Sequence, residues 1–269
     1  MEKSSKLLDD RNKDCCSIYK VPERVVEINK DAYEPQIVSI GPYHHGRKGL
    51  EMIEQHKWRF LNDVITRTGN PLALYVNYML SMEKEIRESY SSESIDHIGS
   101  NDLAKMMLLD GFFLIELFLK FGDLVPTHPD DPIFKMVWVS SVLRRDLLRL
   151  ENQIPFVVLK KLFNHSKPNV VDTPRTLQSL ILHFFNTYLQ VTWPSHVLKH
   201  CEMLDGKHLL DFFRNCFIHA NANKRTNTVV SKPIFDSTQT QSPSFKLIRP
   251  ATKLSSTGVK FEANHQTHI

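Results

Sequence analysis

The chain has 269 residues, 41% hydrophobic and 24% charged, a globular balance with length enough for one large domain or two small ones. Its formal charge of +4 lies in the tail: residues 221–269 carry seven Lys or Arg against two Asp or Glu, and residues 1–220 sum to −1. A charge this mild, with no zinc finger, aromatic RNP pattern or long basic stripe, excludes a dedicated nucleic-acid surface and leaves the tail only weak contact with an anionic membrane.

Residues 1–16 read as a disordered, charged leader without the apolar core of a signal peptide. The four cysteines, Cys15, Cys16, Cys201 and Cys216, form no C-x-x-C pair, so reduced thiols in the cytoplasm are expected. Residues 17–29 form a short helical or extended entry, with Pro22 suited to a first helical position. The run EPQIVSIGP (34–42) has the β-branched content of a short strand, stopped by Gly41-Pro42.

Helices follow. In 51–67, Ile53, Phe60, Leu61, Val64 and Ile65 keep the 3.6 period, with Trp58 at the edge of the stripe. Asn70 is placed to cap the next helix and Pro71 to open it. That helix runs to about Ser89 with Leu72, Tyr75, Val76, Met79, Met82 and Ile86 on one face. The segment 102–121 is apolar nearly all round and predicts a central helix. Lys105, Asp110, Glu116 and Lys120 interrupt it, and such charges at a bilayer centre would cost about 2.5–3.5 kcal/mol each. Further helices are expected over 133–151, 155–163, 175–190 and 195–218, the last split at Gly206. After Ala220 the composition turns to Asn, Ser and Thr, a flexible linker, before GVKF (258–261) regains the character of a short strand.

Several stretches invite a chemical reading. VSIGPYHHGRKG (38–49) nearly spells a phosphate-binding loop, but Arg47 stands where that loop needs Lys and Lys48 where it needs a hydroxyl. Pro42 also removes one backbone N–H from the would-be cradle. His44 and His45, being adjacent, point to opposite faces, so with His56 they make a poor metal set. A turn with hydrogen-bonded histidines is the expectation. Asp110 and Glu116 lie about 240° apart around their helix, which disfavours an acid/base pair and suggests one cap and one ion pair. Glu151, Asn152 and Gln153 sit between two apolar helices, where they can satisfy orphan backbone groups. No G-x-S-x-G elbow is present, and Cys201 near His196 or His200 lies on what reads as a surface helix. No catalytic, cofactor-binding or metal residue is assigned, and no cofactor is expected.

The wording of CSIYKVPERVVEINKDAYEPQIVSIGPYHHGRKGLEMIEQHKWRFL, MMLLDGFFLIELF, DLLRLENQIPFVVLKKLF, HLLDFF and IRPATKLSSTGVKF resembles the plant DUF247 family, also called UPF0481. The resemblance spans nearly all of 15–262. It implies a plant protein of unassigned biochemistry whose relatives continue past GVKF to a C-terminal membrane anchor. Some relatives are linked to pollen self-incompatibility in grasses, which suggests recognition or signalling. Against those relatives the chain reads as truncated before the second half and the anchor.

The expected architecture is therefore mainly α: a multi-helix globular core with a minor β element and a disordered polar linker near the C-terminus. Its parts are a leader (1–16), a helical domain (17–220), a linker (221–244) and a short C-terminal segment (245–269). The expected function is non-catalytic, a cytoplasmic interaction or signalling module with a protein partner. The competing reading is an enzyme whose site gathers His44, His56, Asp110 and Glu151 from distant parts of the chain.

Overall fold

The computed structural model describes residues 16–91, 95–166, 175–189 and 195–226, all within one unit, Met1–Asn227. These residues form helices α1 (Glu23–Ile28), α2 (Lys30–Tyr33), α3 (Glu51–Thr68), α4 (Leu72–Ser81), α5 (Glu83–Glu88) and α6 (Ser100–Phe121). There follow α7 (Pro132–Lys135), α8 (Val137–Asp146), α9 (Phe156–Ser166), α10 (Leu177–Leu189), α11 (Ser195–Cys201) and α12 (Leu209–Thr226). The protein is mainly helical, as its periodicity predicts.

Helix α6 is the axle. A helix apolar on every side has no face to give to water, and sixteen of its 22 residues are buried beneath α3, α4, α5, α9 and α10. Phe113 stacks on Phe60 of α3 at 5.5 Å, Phe112 meets Tyr75 of α4 edge-on at 4.8 Å, and Phe118 meets Phe184 of α10 at 5.3 Å. Such ring pairs contribute about 0.5–1.5 kcal/mol each beyond their buried area. Helix α9 comes close at Gly111, where a β-carbon would lie 2.5 Å from Leu162.

Among the described residues the minor β element is not found. Among the described residues the only bridges are isolated ones, Ile18 with Tyr90 and Pro155 with His208, and 34–42 forms no strand. Its β-branched residues are buried, but its backbone is bonded by side chains rather than by a neighbouring strand. GVKF lies outside the described residues, as do the leader apart from Cys16 and the tail beyond Thr226.

Boundaries moved where local chemistry outweighed the pattern. Pro22 and Pro71 are caps rather than first helical residues, and the Asn70 side chain donates to Tyr75 Oη at 3.0 Å instead of capping α4. The helix expected over 71–89 breaks at Met82, which redirects α5. Ile86 then packs into the core, while Arg87 reaches the carbonyls of Ile95 and Ile98 at 3.1 and 2.7 Å. The helix expected over 133–151 breaks at Met136 and ends at Asp146. Its start is well marked: Asp131 accepts from the Ile133 N–H at 3.1 Å, with Pro132 in the first position. The expected split near Gly206 separates α11 from α12, and α12 continues six residues into the segment read as linker. Among the described residues no helix is long and apolar enough to cross a membrane.

Candidate functional site

The chemistry-bearing residues of the core collect where α8 ends and α9 begins, against residues 36–44. Asp146, the last residue of α8, has a carboxylate at a helix C-terminus, where the macrodipole disfavours it. It faces instead a row of backbone donors. Its Oδ2 accepts from the N–H groups of Gln36, Ile37 and Val38 at 2.8, 2.8 and 3.3 Å, and its Oδ1 from Arg149 Nε at 3.2 Å. Arg149 also donates to the carbonyl of Asp31. Asn152 continues the row: its Oδ1 accepts from the Ile40 N–H at 2.6 Å, while its Nδ2 donates to the carbonyls of Val38 and Asp146. These bonds do for 36–40 what a strand partner would have done.

Gln153 closes the junction on the other side. Its Nε2 donates to the carbonyls of Leu147 and Arg149 in the turn after α8, and its Oε1 accepts from the Leu210 N–H in the first turn of α12. Glu151 accepts from the Val21 N–H and lies 3.3 Å from His44 Nε2. The sequence reading of 151–153 as a junction lock agrees with this geometry.

Gly41 ends the row. Its φ is +76° and a β-carbon there would meet the Gln153 carbonyl oxygen at 2.3 Å, so glycine is required twice over. Its N–H donates to Asp110 Oδ2 at 2.7 Å. The donor that a phosphate would need is thus taken by a carboxylate, and the loop is a turn, closed by Arg47 N–H to His44 O at 3.1 Å. His44 is buried and His45 exposed, on opposite sides as expected. Burial, helped by Arg47, lowers the His44 pKa to about 4, so the ring is neutral near pH 7.

Asp110 does not cap a helix. Its Oδ1 pairs with Lys57 Nζ of α3 at 2.6 Å, and Lys57 spends its other donors on the Ser39 carbonyl and Glu54, each at 2.6 Å. Burial pulls the Lys57 ammonium down, but Asp110 and Glu54 outweigh it and raise its pKa; burial raises the Asp110 carboxyl against the pull of Lys57 and Gly41. Glu116 pairs with Arg67, again of α3. The 240° separation misled because both acids flank the α3–α6 seam and long basic side chains reach them from either side. Both acids are ion-paired.

Of the four residues in the enzyme reading, His44 and Glu151 meet, and Asp110 holds the same loop through Gly41. His56 does not join them: its Nδ1 lies 2.8 Å from Arg59 Nη2 and 3.6 Å from Asp131. Burial, then Arg59, lowers its pKa against the pull of Asp131. Cys201 and Cys216 are buried side by side, and burial raises both thiols, which keeps them protonated and poorly nucleophilic. His200 is exposed and the His196 side chain lies outside the described residues. Among the described residues no three His, Cys, Asp or Glu side chains group as a metal site would require. Around the junction Ser39 Oγ, His44 Nε2 and Arg149 Nη2 have no hydrogen-bond partner among the described residues.

Comparison with known sequences adds the family. The DUF247 profile, described as "Plant protein of unknown function", matches residues 18–269. The chain belongs to the DUF247 family. It is 35% identical over 268 residues to UPF0481 protein At3g47200 of Arabidopsis thaliana, covering 95% of this chain and 54% of that one. It is 29% identical over 202 residues to Putative UPF0481 protein At3g02645 of the same plant, covering 73% and 36%. This DUF247 chain thus spans about half the length of the first relative and about a third of the second. No solved structure matches it.

Sequence reasoning missed Lys57, Asp146 and Arg149. Lys57 had a signal: it falls on the same stripe as Ile53, Phe60, Leu61 and Val64 of α3, where a lone cation must find a buried acid. Asp146 and Arg149 become legible only once the end of α8 is known.

Proposed function

We propose that this DUF247 chain is a non-catalytic, cytoplasmic recognition or signalling module that engages a protein partner. The observation that carries the reading is the use made of its core acids and amides. Asp110, Asp146, Glu151, Asn152 and Gln153 all accept from or donate to distant backbone groups, which leaves them ill-suited to accept and release protons in turnover. A partner surface is supported by Met136, Val137 and Trp138, consecutive side chains exposed by 42, 79 and 54% at the start of α8. Contiguous exposed apolar side chains mark interaction surfaces, and Trp is among the residues that most often anchor them.

The test compares wild type with the Val137→Asp/Trp138→Ala double variant as immobilised bait in plant extract. A partner retained by wild type and lost by the variant, with the thermal transition unchanged, is the expected result. Equal retention by both, or multiple turnover of a metabolite by the purified protein, would overturn the reading.

A further inference from the structure

Helices α11 and α12 form a hairpin turned at Gly206, and the turn is tight: a β-carbon there would lie 2.6 Å from the Phe212 backbone nitrogen. The turn is also tied down. Asn215 Nδ2 donates to the Asp205 carbonyl at 3.1 Å, and the Lys207 carbonyl accepts from the Phe156 N–H at 2.8 Å. On α12 the buried stripe runs Leu209, Phe212, Phe213 and Cys216, a helical period facing the core. Cys201, the last residue of α11, folds back onto this stripe. There it meets a second thiol: Cys216 donates a hydrogen bond to Cys201, and both residues are 0% exposed.

Two features separate this pair from cysteines that merely fill a core. The first is an asymmetry. Burial raises both thiols, but the shared hydrogen bond holds Cys201 down and pushes Cys216 further up. The bond thus favours a thiolate on Cys201 alone, which makes one sulfur the attacker and the other its resolving partner. The second is the element that covers them. With seven residues, α11 is too short to hold itself as a helix and depends on packing against α10 and α12. Its opening is a local event, well short of unfolding the core.

We propose that Cys201 and Cys216 are a modification site, closing to a reversible disulfide that fastens α11 to α12 when the chain meets a peroxide. Opening of α11 admits the oxidant. The Cys201 thiolate attacks one peroxide oxygen, the O–O bond breaks, and the departing hydroxide takes up the proton shed by the thiol, leaving a sulfenic acid and water. Cys216 then attacks the Cys201 sulfur. The S–O bond breaks, hydroxide leaves with the Cys216 proton as a second water, and the S–S bond forms. Two thiols and one hydrogen peroxide give one disulfide and two waters. A dithiol reductant reverses the step by exchange.

The test uses the full chain carrying Cys15→Ser and Cys16→Ser, which removes the two thiols ahead of α1. Exposed to hydrogen peroxide without denaturant, then unfolded and alkylated, it should lose both alkylation sites and two hydrogens in mass, with the link mapped to 201–216. Dithiothreitol should restore both thiols. The oxidised chain should melt about 5 °C higher than the reduced one, because the link restricts the unfolded chain. Cys216→Ala in the same background should give no link and a melting temperature that peroxide does not raise. Thiols that stay alkylatable after peroxide, oxidation to sulfinic acid without a link, or a link that leaves the melting temperature where it was would overturn the proposal.

Discussion

Two joints between the same pair of helices invite comparison. At one, Asp110 of α6 meets Lys57 of α3; at the other, six residues further along α6, Glu116 meets Arg67. The first is closed: Lys57 is 1% exposed and all three ammonium donors are used, while both oxygens of Asp110 are engaged. The second is less complete: among the described residues Glu116 Oε2 and Arg67 Nε are buried without a hydrogen-bond partner. Two acid–base pairs on one seam thus serve in the first case to fasten a loop and in the second to tie α3 and α6 to the end of α9. What distinguishes them is the third element: residues 39–41 bring both a carbonyl and an N–H into the first joint, whereas the end of α9 brings only the Ser166 carbonyl, which accepts from Arg67 Nη2 at 3.2 Å, into the second.

The comparison can be broken by mutation. The largest expected effect is at the closed end, where Asp146→Ala strands the buried N–H groups of Ile37 and Val38 and frees Arg149. At about 1–3 kcal/mol per orphaned group, a loss of about 5 kcal/mol by chemical denaturation is expected; a loss under about 1 kcal/mol would mean the loop is held by something else. Next, Lys57→Met leaves Asp110 buried and uncompensated and should cost about 4 kcal/mol. Arg67→Met, which removes a partly exposed cation, should cost about half that. Equal losses would erase the distinction between the joints.

The smallest effect is a difference of sign with pH. His44 binds a proton only near pH 4 when folded, against an ordinary value of 6.5. The unfolded chain therefore takes up the extra proton, and stability falls as pH drops from about 6.5 to 4. Glu116, raised by burial, works the other way: the folded chain takes up its proton first, so acidification above the ordinary value of 4.5 favours the fold. His44→Gln should flatten the acid loss of stability and Glu116→Gln should steepen it, read as melting temperature against pH.

The helical core was legible because hydrophobic periodicity is a local signal: α3, α6 and α9 stand close to where the pattern puts them, and the all-round apolar α6 announces its central place. The expected strand failed for the opposite reason. β-branched residues at 37, 38 and 40 report burial, and burial does not require strand pairing; the actual partners, Asp146 and Asn152, lie more than a hundred residues away. The junction function of Glu151, Asn152 and Gln153 was readable because three polar letters between apolar helices have few other uses. The unpartnered oxygen of Glu116 was not readable, since it depends on how the Arg67 guanidinium of α3 meets the carboxylate.

The long reach of Asp146 bears on how the chain is made. Gln36 leaves the ribosome 110 residues before the carboxylate that will hold it, an interval of about 5–20 s at ordinary synthesis rates. Through that wait the N–H groups of Ile37, Val38 and Ile40 have no mate, and a nascent apolar segment left unpaired is what chaperones bind. Newborn chains should therefore be most vulnerable to aggregation until translation passes Gln153.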